Sequence, residues 1–335
     1  MPHQPLVSVV MPVYDALPVL GEALDSVLGQ TWGNLDVVVV DDGSTDGSLA
    51  VAQAYARTDG RVRVAAQTHQ GIVTALQTGC EAALGSFIAR MDADDLADPQ
   101  RITCQMKFME ENPGVGLCGA RVRMFGPSVG KGRKRYERWI NSLCEQDAII
   151  RELFVECPIP HPAFLMRRRA YDDVGGYVDY GWPEDYDLVM RLWRRGYGLG
   201  KVTETLLSWR DTAGRLSIRD DRYSPYQFRC LKRRHFFHTY LRGGLPFLQW
   251  GAGEVGKAWL KEWPEDRRPS AVVDINPRKI GRSIHGARVI APEEIPPAGE
   301  QFIIIAVGAP GARSDIREWL AFHGYREGKH YLFVA

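Results

Sequence analysis

Three features of the 335-residue sequence predict an α/β fold: a mixed, mostly parallel sheet flanked by helices, with a second, smaller α/β domain behind it. Short continuous apolar runs alternate with helically spaced segments, which is the βαβ rhythm of a parallel sheet. Each early apolar run stops in a polar, acidic or glycine-rich cluster. After Gly243-Gly244 a strand–glycine–helix–strand pattern begins again, and the predicted boundaries are 1–218, a basic and aromatic helical linker at 219–243, and 244–335.

Leu6 to Met11, stopped by Pro12, reads as a buried strand, and Pro18 to Leu28 has helical spacing at Leu20, Ala23, Leu24, Val27 and Leu28. Leu35 to Val40 is a second apolar run, ending in Asp41-Asp42-Gly43-Ser44-Thr45-Asp46-Gly47. Val62 to Ala66 offers a third strand, and a turn through His69 leads into a helix over 72–84. A loop histidine of this kind is ordinarily solvated. Ser86 to Ala89 then runs into Arg90-Met91-Asp92-Ala93-Asp94-Asp95, three carboxylates in four positions after a strand. Carboxylates so close repel one another unless a cation or hydrogen-bond donors separate them. An all-oxygen cluster suits a hard divalent ion such as Mg²⁺ or Mn²⁺. In an open α/β sheet ligands bind beyond the carboxyl ends of the strands. Pro12-Val13-Tyr14, Asp41-Asp42 and Asp92-Ala93-Asp94 are therefore expected at one edge.

Val9 to Tyr14, Val38 to Asp46 and Arg90 to Asp95, in that order and spacing, resemble family 2 glycosyltransferases of the GT-A fold over roughly the first two thirds of the chain. The resemblance implies a nucleotide-sugar donor, a divalent metal cofactor (Mn²⁺ or Mg²⁺) and inversion at the anomeric carbon. It implies that Pro12 and Tyr14 border the base and that Asp42 accepts a hydrogen bond from it. A carboxylate acceptor favours a base with an imide N–H, hence a UDP-sugar. Arg90 falls near the ribose or diphosphate, Asp92 near the ribose and metal, and Asp94 on the metal, with Asp95 a substitute for either aspartate.

Further along, Pro99 to Glu111 reads as a helix, and Gly126 to Arg138 as a glycine-rich basic loop, either solvated or a flap. Pro160 to Met166 reads as a strand carrying His161, which is either a ligand-side histidine or a core one. In Trp182-Pro183-Glu184-Asp185, Pro183 opens a helix that Gly196 closes. Asp185 shares a face with Leu188, Val189 and Leu192. The Glu184-Asp185 pair resembles the family motif whose aspartate is the catalytic base, which assigns that role to Asp185, with Trp182 and Glu184 as accessory candidates. Many members carry Arg-x-His before a Ser near 217. This chain has Arg210-Asp211-Thr212-Ala213-Gly214-Arg215-Leu216-Ser217, so Arg210 or Arg215 is expected to substitute electrostatically.

In the tail, Phe247 to Trp250 leads into Gly251-Ala252-Gly253-Glu254-Val255-Gly256, a helix, and a strand ending at Asp274. This order predicts a Rossmann-like domain with Gly251, Gly253, Gly256 and Asp274 at a second nucleotide site. The tail resembles the nucleotide-binding domains attached to some sugar-modifying acyltransferases. It lacks an evident catalytic group, so binding is favoured over hydride transfer.

Composition narrows the classes. With 45% hydrophobic and 25% charged residues and a net charge of +1, the chain is an ordinary globular protein with no field for nucleic acid. Six cysteines stand singly with no CxxC pair, which predicts a reducing compartment. Residues 1–10 lack the pattern of a signal peptide, and no apolar run approaches the ~20 residues that span a bilayer. The expectation is a cytoplasmic protein, soluble or peripheral at the inner membrane face, acting on a glycan or lipid-linked saccharide acceptor. The competing readings are an NAD(P)-linked sugar-nucleotide oxidoreductase or epimerase run by the tail, and a non-catalytic nucleotide-sugar sensor.

Overall fold

The computed structural model describes residues 4–212, 214–309 and 311–335, so Ala213 and Pro310, within two of the segments read above, lie outside the described residues. In chain order the elements are β1 (Val7–Val13), α1 (Leu17–Leu28), β2 (Leu35–Asp41), α2 (Ser48–Thr58), β3 (Val62–Ala66), α3 (Ile72–Ala82), β4 (Phe87–Arg90), β5 (Leu96–Ala97), α4 (Arg101–Glu111), β6 (Val115–Phe125), α5 (Lys131–Ser142) and α6 (Gln146–Glu152). They continue with β7 (Leu165–Arg167), α7 (Arg168–Asp173), α8 (Glu184–Arg195), β8 (Gly198–Arg210), α9 (Leu216–Arg219), α10 (Pro225–Thr239), β9 (Phe247–Trp250), α11 (Glu254–Glu262), β10 (Ala271–Val273), β11 (Ser283–Ile284), β12 (Ala287–Ile290), β13 (Phe302–Ile305), α12 (Ala312–Phe322) and β14 (Tyr331–Phe333). The chain forms two compact units: residues up to Ile149 with Pro158–Ser224, and Ile150–Cys157 with Pro225–Ala335. Helix α10, expected to be a helical linker between the domains, groups with the second unit, as does a short piece of the front segment.

In the first unit the strand order is β3-β2-β1-β4-β7-β6-β8-β5. Strands β3, β2, β1 and β4 run parallel, β7 is antiparallel to both its neighbours, and β6 and β8 are parallel again. Every residue of β1 and β2 is buried, as a strand covered by helices on both faces requires. Helix α1 buries Leu20, Ala23, Leu24 and Val27, one stripe at i, i+3, i+4 and i+7. Helix α3 lies so close to the sheet that a Cβ on Gly79 would come within 2.4 Å of Val10 Cγ1.

Two local expectations are corrected. Lys131–Ser142 within and beyond the basic stretch is helix α5, because Tyr136, Trp139 and Ile140 share a face packed on the core, while Lys131, Lys134, Arg135 and Arg138 are exposed. His161–Ala163 is a 3₁₀ turn, and the strand begins only at Leu165, since Pro160 and Pro162 remove two of the donors a ladder needs.

The second unit has strand order β11-β12-β10-β9-β13-β14, parallel throughout except for the β11–β12 pair. Leu248, Trp250, Val273, Ile303, Ile305, Leu320 and Phe333 fill its core. Lys232 of α10 is buried there and donates to the carbonyls of Val155 (2.7 Å) and Val334 (3.1 Å), with burial pulling its ammonium down to about 8. Those two bonds explain why 150–157 and α10 fold with the tail. Among the described residues no helix is long and apolar enough to cross a membrane.

Replacing Gly79 by Val forces a side chain between α3 and β1. The variant is expected to lose about 1–3 kcal/mol of stability, read as a lower urea midpoint for the first unit.

Candidate active site

Parallel register brings the carboxyl ends of β2, β1 and β4 side by side: Val13 pairs with Asp41, and Val10 with Arg90. The ladder continues one step into the loops, with Asp42 N–H on Val13 O (2.8 Å) and Met91 N–H on Val10 O (3.1 Å). Tyr14, Asp42 and the acidic cluster therefore leave one sheet edge together.

Asp42 is buried and engaged. Its Oδ1 accepts from Gln67 Nε2 (2.7 Å) and the Gln70 N–H (2.9 Å), and its Oδ2 from the Gly71 N–H (2.8 Å), with His69 Nδ1 also 2.8 Å away. Three hydrogen bonds thus reach the carboxylate, and His69 Nδ1 also bonds the Asp42 carbonyl at 3.1 Å. The His69 ring also stacks on Tyr14, centroids 4.1 Å apart, so the residue set aside as a solvated loop histidine joins both base-side candidates. Gly43 permits this: its φ of +77° is left-handed, and a Cβ there would lie 2.7 Å from the His69 nitrogen. Neighbouring Asp41 turns inward, accepting from the Ser44 N–H at 3.1 Å.

At the end of β4, one carboxylate oxygen each from Asp92, Asp94 and Asp95 lie within 4.8 Å of one another. Arg90, buried beneath them, pairs with Asp92, and its Nε has no hydrogen-bond partner among the described residues. Burial, and then Asp92, push the Asp94 carboxyl up to about 6. The same causes, with Asp94 added, hold Asp95 well above the usual range. Asp95 is completely buried, with Oδ1 on the Arg210 N–H (2.7 Å) and Oδ2 orphaned. Asp92 and Asp94 are only half-buried, which makes them the outward-facing pair. Arg210 also serves the cluster through its side chain: Nε donates to the Asp94 carbonyl (2.6 Å), while Nη2 reaches Glu22 (3.0 Å). Asp211, next to Arg210 in the stretch that lacks the motif histidine, is buried between Arg133 of α5 and Arg215.

A chain of side chains joins this cluster to α8. His161 Nε2 meets the Tyr177 hydroxyl at 2.7 Å, and its Nδ1 stands 3.8 Å from Glu184 Oε1. Burial and the nearby Arg90 guanidinium hold His161 well below the ordinary histidine range, so the ring is neutral. Glu184, the first residue of α8, is buried and accepts from the Tyr223 hydroxyl at 2.9 and 3.2 Å, with Arg222 Nη1 3.9 Å away. Burial pushes its carboxyl up, and Tyr223, Arg222 and Arg90 oppose that shift. Asp185 follows, half-buried, close enough to act electrostatically on Tyr223. Trp182, also half-buried, sits 5.1 Å from the exposed Tyr180, centroid to centroid.

Residues 8–175 match the family model described as glycosyl transferase family 2. The chain belongs to that family. It is 30% identical over 217 residues to an uncharacterized glycosyltransferase of Haemophilus influenzae, a match covering 63% of this chain and 67% of the relative. Among solved structures, S. aureus TarS 1–349 superposes with a TM-score of 0.55 at 18% identity, covering 69% of this chain and 65% of that one. A TarS structure with UDP-GlcNAc gives 0.51 at 16%, covering 69% and 66%. The mannosyltransferase PcManGT of Pyrobaculum calidifontis, in complex with GDP-Man and Mn²⁺, gives 0.51 at 20%, covering 72% and 66%. The chain thus spans about two thirds of the length of the solved chains it matches. At these identities the structures establish the fold, and the family is carried by the sequence match.

Motif reading in this family 2 chain found the carboxylates and missed what holds them. Gln67 and His69 grip Asp42, Tyr177 orients His161, and Tyr223 and Arg222 fix Glu184. Tyr223 and Arg222 lie in the stretch read as a linker, where no local pattern marks them. Removing the Tyr223 hydroxyl leaves a buried carboxylate without its shortest donor. Tyr223→Phe is expected to cost about 1–3 kcal/mol, visible as a lower calorimetric Tm.

Proposed function

We propose that this family 2 glycosyltransferase is a divalent-metal-dependent, inverting enzyme that moves a sugar from a nucleoside diphosphate donor to a saccharide hydroxyl. The observation that carries the reading is the carboxylate triad just after β4, at the sheet edge where β1, β2 and β4 all end, with base-side residues on one flank and the Glu184-Asp185 turn near the other. Both nucleotide-sugar complexes among the solved relatives, and the Mn²⁺ in one of them, are in keeping with it.

The donor set fits a hard divalent ion. Three oxygens lie within 4.8 Å, Asp94 is raised to about 6 by crowding, and a buried Asp95 oxygen lacks a donor. Asp94 and Asp92 would hold the ion, and Asp95 would back them from below. A bound divalent ion supplies Lewis-acid stabilisation of charge on a leaving diphosphate. Arg90 pairs with Asp92 from beneath. Tyr14 gives the base a ring to stack on, and an imide N–H of uracil takes the remaining acceptor position on the Asp42 carboxylate, beside the exposed His69.

Transfer breaks the bond from the anomeric carbon to the diphosphate and forms one to the acceptor oxygen on the opposite face. Asp185 takes the acceptor's proton as the oxygen attacks. A single displacement of this kind inverts the centre, and general-base help is worth ~10²–10⁴ in rate. Tyr180 and Trp182, just ahead of Asp185, offer ring faces on which the apolar C–H face of a glycan or lipid-linked saccharide acceptor packs. Family membership favours this transfer over the hydride chemistry considered for the tail.

The test is calorimetric titration of the full chain with UDP, in Mn²⁺ and then in EDTA, alongside Asp94→Ala and Asp185→Asn. Binding that needs Mn²⁺, is lost in Asp94→Ala and survives in Asp185→Asn is the expected pattern. With a donor sugar that turns over, Asp185→Asn is expected to lower kcat by ~10²–10⁴ with little change in KM. UDP binding indifferent to both EDTA and Asp94→Ala would remove the metal from the mechanism.

A further inference from the structure

The second unit contains a cavity of about 640 Å³ that the transfer reaction does not use. Trp250 and Gly251 from the end of β9, Asp274 and Ile275 from the end of β10, and Ala306 to Ala309 from the end of β13 line it. Strand β9 is the point where the sheet order turns back, with β10 on one side and β13 on the other. A crevice opens at such a reversal because the following helices, here α11 and α12, leave to opposite sides.

The three glycines of the β9–α11 loop are not equivalent. Gly251 has φ +116°, and a Cβ on it would lie 2.5 Å from the Ala306 oxygen. A Cβ on Gly256 would lie 1.9 Å from the Gly251 oxygen. Both are fixed by the protein's own packing. Gly253 is not: its φ is −81°, and a Cβ there meets nothing within 4 Å. It lines the cavity, and it precedes a helix whose first turn has no side-chain cap. Its missing side chain leaves bare backbone and uncapped N–H groups facing the cavity, where an anionic group gains from both.

Asp274 supplies the second fixed point. Its Oδ2 accepts from the Ala252 N–H (3.0 Å) and Lys279 Nζ (2.9 Å), and its Oδ1 from the Asn276 N–H (2.9 Å). Of about four acceptor positions, one on Oδ1 remains. A hydroxyl donor fits it. Next to it, Ile275 is 76% exposed and lines the cavity with Pro292, an apolar wall for a planar base. Across the loop, Trp319, Ile316 and Asp315 of α12 form a separate lobe. Four lining carboxylates, Glu254, Glu293, Asp274 and Asp315, face the single cation Lys279, which is already on Asp274. Glu254 is exposed and its carboxylate can turn to water. That balance tolerates charge at the glycine loop and opposes it beside Asp274.

We propose that this cavity binds a ribonucleoside diphosphate ester with an unmodified ribose diol: base on Ile275 and Pro292, ribose hydroxyl on Asp274, diphosphate at Gly253, and the esterified group in the α12 lobe. A dinucleotide of the NAD⁺ type and a nucleotide sugar share this chemistry, and a 2′-phosphate is excluded.

The full-length chain is titrated in EDTA with NAD⁺, NADP⁺ and UDP-GlcNAc, as wild type and as Gly253→Asp. Aspartate is a favoured residue at a helix N-cap and meets no protein atom there, so the fold is kept, which an unchanged Tm verifies. NAD⁺ or UDP-GlcNAc is expected to bind and to weaken at least tenfold in Gly253→Asp; which one binds identifies the source. NADP⁺ is expected at least tenfold weaker than NAD⁺ if the dinucleotide is the ligand. Absence of binding by both, binding unchanged in Gly253→Asp, or NADP⁺ binding as tightly as NAD⁺ overturns the proposal. The Mn²⁺ and Asp94→Ala test of the first site is read in the Gly253→Asp background, so that metal-independent binding at this cavity does not enter it and the two readings fail separately.

Discussion

Three carboxylates confined within 4.8 Å and partly withdrawn from water repel one another, and much of the first unit is arranged around that repulsion. Arg90 lies beneath the cluster and pairs with Asp92. The last residue of β8 crosses to it and presents a backbone N–H to Asp95 and a guanidinium N–H to the Asp94 carbonyl. These contacts leave the repulsion only partly relieved, since Asp94 stays near 6 and Asp95 higher still. A fold that keeps three acids together at this cost in self-energy is adapted to receive positive charge there. Burial also divides the labour: Asp95 holds β8 in place, while Asp92 and Asp94 face outward.

What the sequence made legible follows the same physics. The strands at the centre of the sheet are covered on both faces, so they appear as unbroken apolar runs, and parallel register then forces their trailing clusters to one edge. Tyr14, Asp42 and the Asp92–Asp95 group could be placed together without knowing any contact. Non-local partners were invisible. Gln67 and Gln70 close on Asp42 from the next loop, and nothing in their local pattern distinguishes them from ordinary turn residues. Helix α5 was hidden by its cations, which mask a stripe of Tyr136, Trp139 and Ile140. The 3₁₀ turn at His161 resembled a strand because apolar residues follow two prolines. The grouping of 150–157 with the tail rests on the Lys232 bond to Val155, which no composition shift announces.

Both units place their notable polar residues beyond the carboxyl ends of parallel strands, yet the chemistry differs. In the first, a carboxylate triad dominates, and the loop after β2 is tied down from all sides. In the second, the β9–α11 loop is pressed onto the sheet by two glycines and bare at a third, with an aspartate whose acceptor capacity is not exhausted. Asp42 and Asp274 each accept three hydrogen bonds on their carboxylates, so each keeps one acceptor position for a ligand without rearrangement.

The adjacent acids that open α8 show how environment separates two roles within a single turn. Glu184 is buried, its carboxyl raised, and both its oxygens are held by the Tyr223 hydroxyl. A group so enclosed cannot swing toward a substrate, and its bonds connect α8 to the segment after β8 and, through His161, to the neighbourhood of Arg90. Asp185 is one residue on, a hundred degrees around the helix, and half-buried. It stands in the first turn, where the helix dipole favours the ionised form that a base requires. In the proposed chemistry Glu184 therefore takes a positioning part. Its exchange for glutamine, which keeps the size and an acceptor for Tyr223, disturbs the helix far less than exchange for alanine, whereas at Asp185 the charge itself is what the proposed chemistry needs.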